Sequence, residues 1–329
     1  MTEPLLSVQN LRIELKTRAG VAPVIDDLSF DLMPGESISF VGESGCGKSM
    51  TALGLMGLLP EGVGRIASGS IRFDGEDLTQ ADENRLRELR GNDISMIFQE
   101  PMTSLNPVYT VGEQIAEVLR AHQGLSRTDA WTRATDLLDA VRIPNAKGRV
   151  GDYPFQMSGG QRQRVMIAMA LACQPKILIA DEPTTALDVT VQAEIFDLLR
   201  DLRRDMGTSV ILITHDMGAV AEMADRVIVM YAGRKAEIGP VDSIIEHPRH
   251  PYTKGLISCV PHLQTPLTDE RPELTEVSGI VPALKDFGAN ACLFASRCQY
   301  RTAPCLSARP DPITFPSGQI ADCWHAEDL

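Results

Sequence analysis

Three short segments of this chain carry residue types at spacings suited to phosphate chemistry: Gly42-Glu43-Ser44-Gly45-Cys46-Gly47-Lys48-Ser49, Ser158-Gly159-Gly160-Gln161, and Ile177-Leu178-Ile179-Ala180-Asp181-Glu182. The first has the form G-x-x-x-x-G-K-S. Its glycines let backbone N–H groups close round phosphate oxygens, its lysine neutralises the outer phosphates, and its serine hydroxyl binds Mg²⁺. Nucleotide contact falls to Gly42, Ser44, Gly45, Cys46, Gly47, Lys48, Ser49 and the adjoining Met50. The third segment is four apolar residues running into two carboxylates. A buried strand of that kind delivers Asp181 to support the metal and Glu182 to an attacking water. In the second, Ser158 is suited to cap a helix, and two glycines permit close backbone approach to an anion.

The elements that must position these residues are legible in the hydrophobic periodicity. Leu11, Ile13 and Leu15 alternate with Arg12, Glu14 and Lys16, the pattern of a half-exposed strand, and Leu28-Ser-Phe-Asp-Leu and Ile71-Arg-Phe repeat it on either side of the glycine-rich loop. These predict an antiparallel sheet. Residues 37–41 read as a core strand ending in the loop, and 48–59 as the helix whose positive N-terminal end faces phosphate. Between about 101 and 165 helical spacing dominates, with Ile115, Val118 and Leu119 on one face and Leu137, Leu138 and Val141 on another. An inserted helical subdomain is predicted there. Apolar runs at 177–180 and 210–213 flank a helix carrying Val191, Ile195, Leu198, Leu199 and Leu202. Alternating strands and helices imply an α/β fold with a parallel sheet covered on both faces. After Gly239 the composition shifts, for 11 of 21 prolines and five of seven cysteines lie beyond it. A first domain over 1–240 and a loop-rich appendage over 241–329 are expected.

Composition excludes some classes. The net charge of −13 opposes tight association with a nucleic-acid backbone. No run approaches the roughly 18 apolar residues needed to span a bilayer. The N-terminus, Met-Thr-Glu-Pro, lacks the basic start and apolar stretch of a secretory signal, so a cytoplasmic location is expected.

The three motifs together resemble the ATP-binding cassette (ABC) ATPases from about Leu5 to about Pro240. The resemblance implies an ABC-type phosphate-loop NTPase, with a RecA-like core, an antiparallel β subdomain and a helical subdomain, that hydrolyses ATP with Mg²⁺. It gives His215 the role of orienting water at the γ-phosphate, beside Glu182 as the catalytic carboxylate. It makes Gln99 the residue joining a metal site of Ser49, Gln99 and Asp181 to the helical subdomain. Ser158, Gly159, Gly160, Gln161 and Asp188 are implied to reach the nucleotide of an opposing subunit, so that activity needs a dimer; capping of the following helix is the simpler reading of Asp188 alone. These ATPases usually stack an aromatic residue on adenine, yet none precedes Phe30 here, and Leu15 is expected to offer aliphatic contact instead.

Gln99-Glu-Pro-Met-Thr-Ser-Leu-Asn-Pro107, Thr184-Thr-Ala-Leu-Asp-Val-Thr190 and His247-Pro-Arg-His-Pro-Tyr-Thr253 resemble the ATPase subunits of peptide and nickel importers. A subunit energising import of dipeptides or oligopeptides is implied, peripheral on the cytoplasmic face of the membrane. Its partners would be an opposing ATPase, a different chain by expectation, two transmembrane permease subunits and, indirectly, an extracytoplasmic peptide-binding protein. Nickel import and a soluble ABC ATPase acting on ribosomes or nucleic acid are the alternatives. Four cysteines follow as Cys292-x5-Cys298-x6-Cys305-x17-Cys323. In a cytoplasmic chain such thiols suit a metal site better than disulfides. The pattern resembles the C-terminal cluster of peptide-importer ATPases, which implies a four-iron four-sulfur centre; zinc and free thiols remain the other readings.

Overall fold

The computed structural model describes residues 3–18, 20–99, 104–185, 187–259, 277–283 and 290–329. Strands β1 (Leu6–Thr17) and β2 (Gly20–Leu32) are neighbours separated by two residues, a link too short for a parallel crossover, so they run antiparallel. β3 (Ser37–Val41), buried throughout, leads into the glycine-rich loop and α1 (Lys48–Leu55). The predicted helix to residue 59 ends early, at Leu55, and Gly57 turns to φ 62°. Next come β4 (Gly64–Phe73), β5 (Glu76–Asp77), α2 (Glu83–Leu89) and β6 (Ile94–Ile97). The helical stretch holds α3 (Val111–Gln123), α4 (Arg127–Ala140), α5 (Ala146–Arg149) and α6 (Gly159–Leu171). β7 (Ile177–Asp181), α7 (Val189–Met206), β8 (Ser209–Thr214), α8 (Met217–Met223), β9 (Arg226–Tyr231) and β10 (Arg234–Pro240) follow. The C-terminal part adds α9 (Val241–Glu246), α10 (Pro251–Ser258) and the two-residue strands β11 (Ile313–Thr314) and β12 (Ile320–Ala321).

Two compact units emerge. One comprises Met1–Leu6, Leu32–Ser37 and Phe73–Ile213. Its strands β6, β7 and β8 pair in parallel, Ile94 opposite Ile177 and Ile177 opposite Ser209, and every residue of the three is buried. Burial on both faces is why they read as unbroken apolar runs. Thr110 and Ser126 cap α3 and α4 by accepting the Glu113 and Asp129 N–H groups, and Gly124 closes α3 in the left-handed region. Ile115 and Leu119 of α3 and Leu137 and Leu138 of α4 are buried, as their spacing predicts.

The other unit comprises Ser7–Asp31, Ile38–Arg72 and Thr214–Leu329. β1 lies between β2 and β4, and a second sheet runs β3-β9-β10-β12-β11. Within this unit β3 and β9 pair in parallel, and β9–β10, β10–β12 and β11–β12 are antiparallel. The strands read from the sequence as core, β3 and β7–β8, pair in parallel as expected, and the antiparallel additions were not foreseen: β9 returns to β10 through the tight turn at Ala232-Gly233, where a crossover helix has no room, and β12 and β11 extend the sheet from β10. Val41, Val227, Val229, Tyr231, Ile244, Tyr252 and Phe294 form its core.

Candidate functional site

In the second unit the loop after β3 is built around two glycines at positive φ. A Cβ on Gly42 (φ 155°) would stand 2.2 Å from the Met230 carbonyl oxygen, and one on Gly47 (φ 105°) 2.9 Å from that of Val24. No other residue type fits either place. Gly47 opens α1 without a side-chain cap, which leaves the first helical amides to an anion. Ser44 and Gly45 are exposed at the loop's crest. The Lys48 ammonium donates to the carbonyl oxygens of Gly42 (2.7 Å) and Glu43 (3.2 Å). Cys46 turns its thiol inward, 3.7 Å from Lys48 Nζ, and burial pushes that thiol's pKa up against the pull of the lysine. Cysteine here is therefore a packing residue, and its backbone is what the loop uses.

In the first unit β7 carries Asp181, which is buried, to its last position. Glu182 comes next, with its backbone at φ 46° and its N–H donating to the Ile213 carbonyl at 2.8 Å. One carboxylate oxygen, Oε2, accepts from Thr185 Oγ1 (2.9 Å) and from Gln99 Nε2 (3.1 Å). Gln99 and Glu182, 83 residues apart in sequence, thus meet through this hydrogen bond. Thr185 was not foreseen as a donor; its place three residues after Glu182, in the turn closed by the Thr185 N–H on the Glu182 carbonyl, is the local signal for it.

Ser158 caps α6 with a reciprocal pair: its hydroxyl accepts the Gln161 N–H (3.3 Å), and Gln161 Oε1 accepts the Ser158 N–H (3.1 Å). Gly159 and Gly160 form the first turn. Asp188 caps α7 by accepting from Val191 N at 3.0 Å, which realises the plain capping role. His215 is exposed directly after β8. Of the Gln99–Pro107 segment that resembles importer ATPases, residues 100–103 lie outside the described residues, and Leu105 is 3% exposed, too buried to serve as a contact. Val108 and Tyr109 are exposed beside it.

The four tail cysteines line one pocket together with His250, Phe294, Trp324 and His325. His325 N–H donates to Cys323 Sγ at 3.3 Å, and Thr302 Oγ1 lies 3.5 Å from Cys305 Sγ. Burial raises the thiols of Cys292 and Cys298 and pushes Cys323 up to about 12. Four thiols thus converge, a donor set that suits iron or zinc. They do not form a ligand shell: among the described residues no group of three or more His, Cys, Asp or Glu stands as it would around a metal ion. His250 is structural, as its Nδ1 accepts the Tyr252 N–H at 3.0 Å and burial lowers its pKa to about 4.

A phosphate cradle at a helix start, a buried strand ending in Asp-Glu, and a capped Ser-Gly-Gly-Gln helix define a phosphate-loop ATPase of the cassette class. A profile for the ABC transporter family matches residues 25–185, and one for the C-terminal region of oligopeptide/dipeptide transporters matches 236–305. A Brucella abortus protein carrying the name peptide import ATP-binding protein is 50% identical over 98% of this chain and 95% of its own; a Brucella melitensis namesake is 49% identical over 94% and 93%. Among solved structures, an ATP-binding cassette captured as a dimer with ADP and phosphate superposes with a TM-score of 0.64 at 28% identity, covering 72% of this chain and 98% of that one. CbiO1 of Clostridium perfringens, part of an ABC transporter complex, gives 0.63 at 27%, covering 74% and 92%. The chain belongs to the ABC transporter family, as an ATP-hydrolysing subunit. No helix among the described residues is long and apolar enough to cross a membrane.

Proposed function

We propose that the chain energises import of dipeptides or oligopeptides from the cytoplasmic face of the cell membrane. One observation carries this reading: a phosphate-type loop whose Gly42 and Gly47 leave no room for a Cβ stands on the same chain as a region matching the C-terminal part of oligopeptide and dipeptide transporters. Residues 1–240 act as the cassette, about 101–165 as its helical subdomain, and 241–329 as the importer-type extension. Lys48 leaves the Gly42 carbonyl for the outer phosphates, with the amides of Gly45 to Ser49 and the adjoining Met50 around them. Mg²⁺, held through Ser49, Asp181 and Gln99, supplies neutralisation of the phosphates when bound. Glu182, oriented by Thr185 and Gln99, polarises the water, and His215 aligns it at the γ-phosphate; a positioned base of this kind contributes roughly 10²- to 10⁴-fold in rate. Ser158, Gly159, Gly160, Gln161 and Asp188 complete the site of an opposing ATPase chain, a reading supported by the dimeric state of the similar cassette. Two permease subunits receive the closure, and an extracytoplasmic binding protein delivers the peptide.

Cys292, Cys298, Cys305 and Cys323 take a four-iron four-sulfur cluster in this reading, with zinc the other occupant. Their convergence on one pocket supports it. When bound, such a group contributes folding free energy to a segment with little regular structure. The full chain, affinity-isolated from gently solubilised membranes, should bring two membrane-spanning proteins and a second ATPase. Recovery of ribosomal proteins or nucleic acid alone contradicts the transport reading.

A further inference from the structure

We propose that Arg297, in the C-terminal extension, is a positioning residue for the nucleotide: it holds and neutralises Glu43, the one acidic side chain of the phosphate loop. The guanidinium donates Nη1 to Glu43 Oε2 at 2.6 Å and Nη2 to Oε1 at 2.9 Å, a two-point grip across 254 residues of sequence. The Arg297 side chain is 2% exposed and that of Glu43 28%. The other N–H groups go to the Ser278 carbonyl (2.8 Å), the Val277 carbonyl (2.7 Å) and Tyr231 Oη (3.3 Å). All five guanidinium donors are therefore engaged, and the fork has no second position to adopt. Glu43 is held from its backbone as well. Its N–H donates to the hydroxyl of fully buried Tyr252 at 2.8 Å, and the rings of Tyr231, Tyr252 and Phe294 pack with centroids 4.7 to 5.4 Å apart.

The physical need is electrostatic. A carboxylate in a loop that must accept a triphosphate repels its ligand, and at the effective dielectric near a protein surface such repulsion is felt over several ångströms. A bidentate arginine cancels the charge and fixes its direction, which a point-charge lysine on a flexible stem does less well. The Tyr252 hydroxyl holds the backbone end of the same residue. This extends the role of the extension to the ATP site; it rests on the phosphate loop binding ATP and is independent of what the cysteine pocket holds.

A merely structural bridge and a neutralising one differ in a double-variant test on the full chain, titrated with Mg²⁺ and a non-hydrolysable ATP analogue. R297A should raise the Kd about tenfold. Removing the stranded charge as well, in E43Q/R297A, should restore it to within about threefold. R297K should fall between R297A and the parent. If R297A does not fold, E43Q/R297Q replaces it: a neutral hydrogen-bonded pair should bind the analogue like the parent chain. Parent-like affinity of R297A, no recovery in E43Q/R297A, or a tenfold loss in E43Q/R297Q overturns the proposal. K48A is the separate control for the loop, and undiminished analogue binding there would remove the phosphate-loop reading and this proposal with it.

Discussion

Glu182 holds its backbone at φ 46°, a conformation that non-glycine residues keep only when their surroundings enforce it. The Ile213 carbonyl supplies that constraint from β8, and Thr185 and Gln99 fix the carboxylate. Backbone strain and aimed donors meet at this one residue, as the role proposed for it requires. Gly42 is the opposite case, a position whose backbone leaves no room for a side chain. Gly42→Ala would drive a Cβ to 2.2 Å from the Met230 oxygen, so the loop must shift. Affinity for the ATP analogue should fall at least about tenfold while the far-UV spectrum stays native, and near-normal affinity would show that the loop tolerates the shift.

At the scale of elements, β12 belongs to the second unit's sheet, with Glu237 of β10 opposite Ala321 of β12. Fully buried Glu237 ties the two regions by accepting from the N–H groups of Arg249 (2.8 Å) and His250 (3.1 Å) and from Gln319 Nε2 (3.3 Å). Glu237→Ala strands those donors and should cost about 3 kcal/mol, read as a fall in denaturation midpoint; a change under about 0.5 kcal/mol would deny the tie. The cysteine pocket sits in the same region. Anaerobically prepared protein should be brown, absorb broadly near about 400 nm and hold about four irons, and Cys298→Ser should bleach it. Stoichiometric zinc without iron would replace the cluster but keep the thiolate site. Motifs, caps and helix faces were legible in the sequence because each is written within a few residues: Ser158 with Gln161, Asp188 with Val191, Ile115 with Leu119. The β10–β12 pairing and the Arg297–Glu43 grip were not, since two-residue strands carry no periodicity and a partner 254 residues away leaves no local trace.

For the whole molecule, function depends on chains that are not this one, so sequence reading reaches the engine before its cargo. If the segment after Gln99 receives a permease subunit, Val108, 72% exposed, is the accessible place to test that contact, because Leu105 is buried. A cysteine at Val108 should crosslink to a membrane-spanning protein in intact membranes, and capture of soluble proteins alone would argue against the interface. The central claim is that ATP hydrolysis at Glu182 drives peptide entry. It is tested most directly by uptake of a labelled dipeptide into vesicles carrying the assembled complex, with ATP on the side of this chain. The account predicts ATP-dependent accumulation that falls at least about a hundredfold with Glu182→Gln while the ATP analogue still binds. Undiminished accumulation with that variant, or none with the parent complex despite ATP turnover, would contradict it.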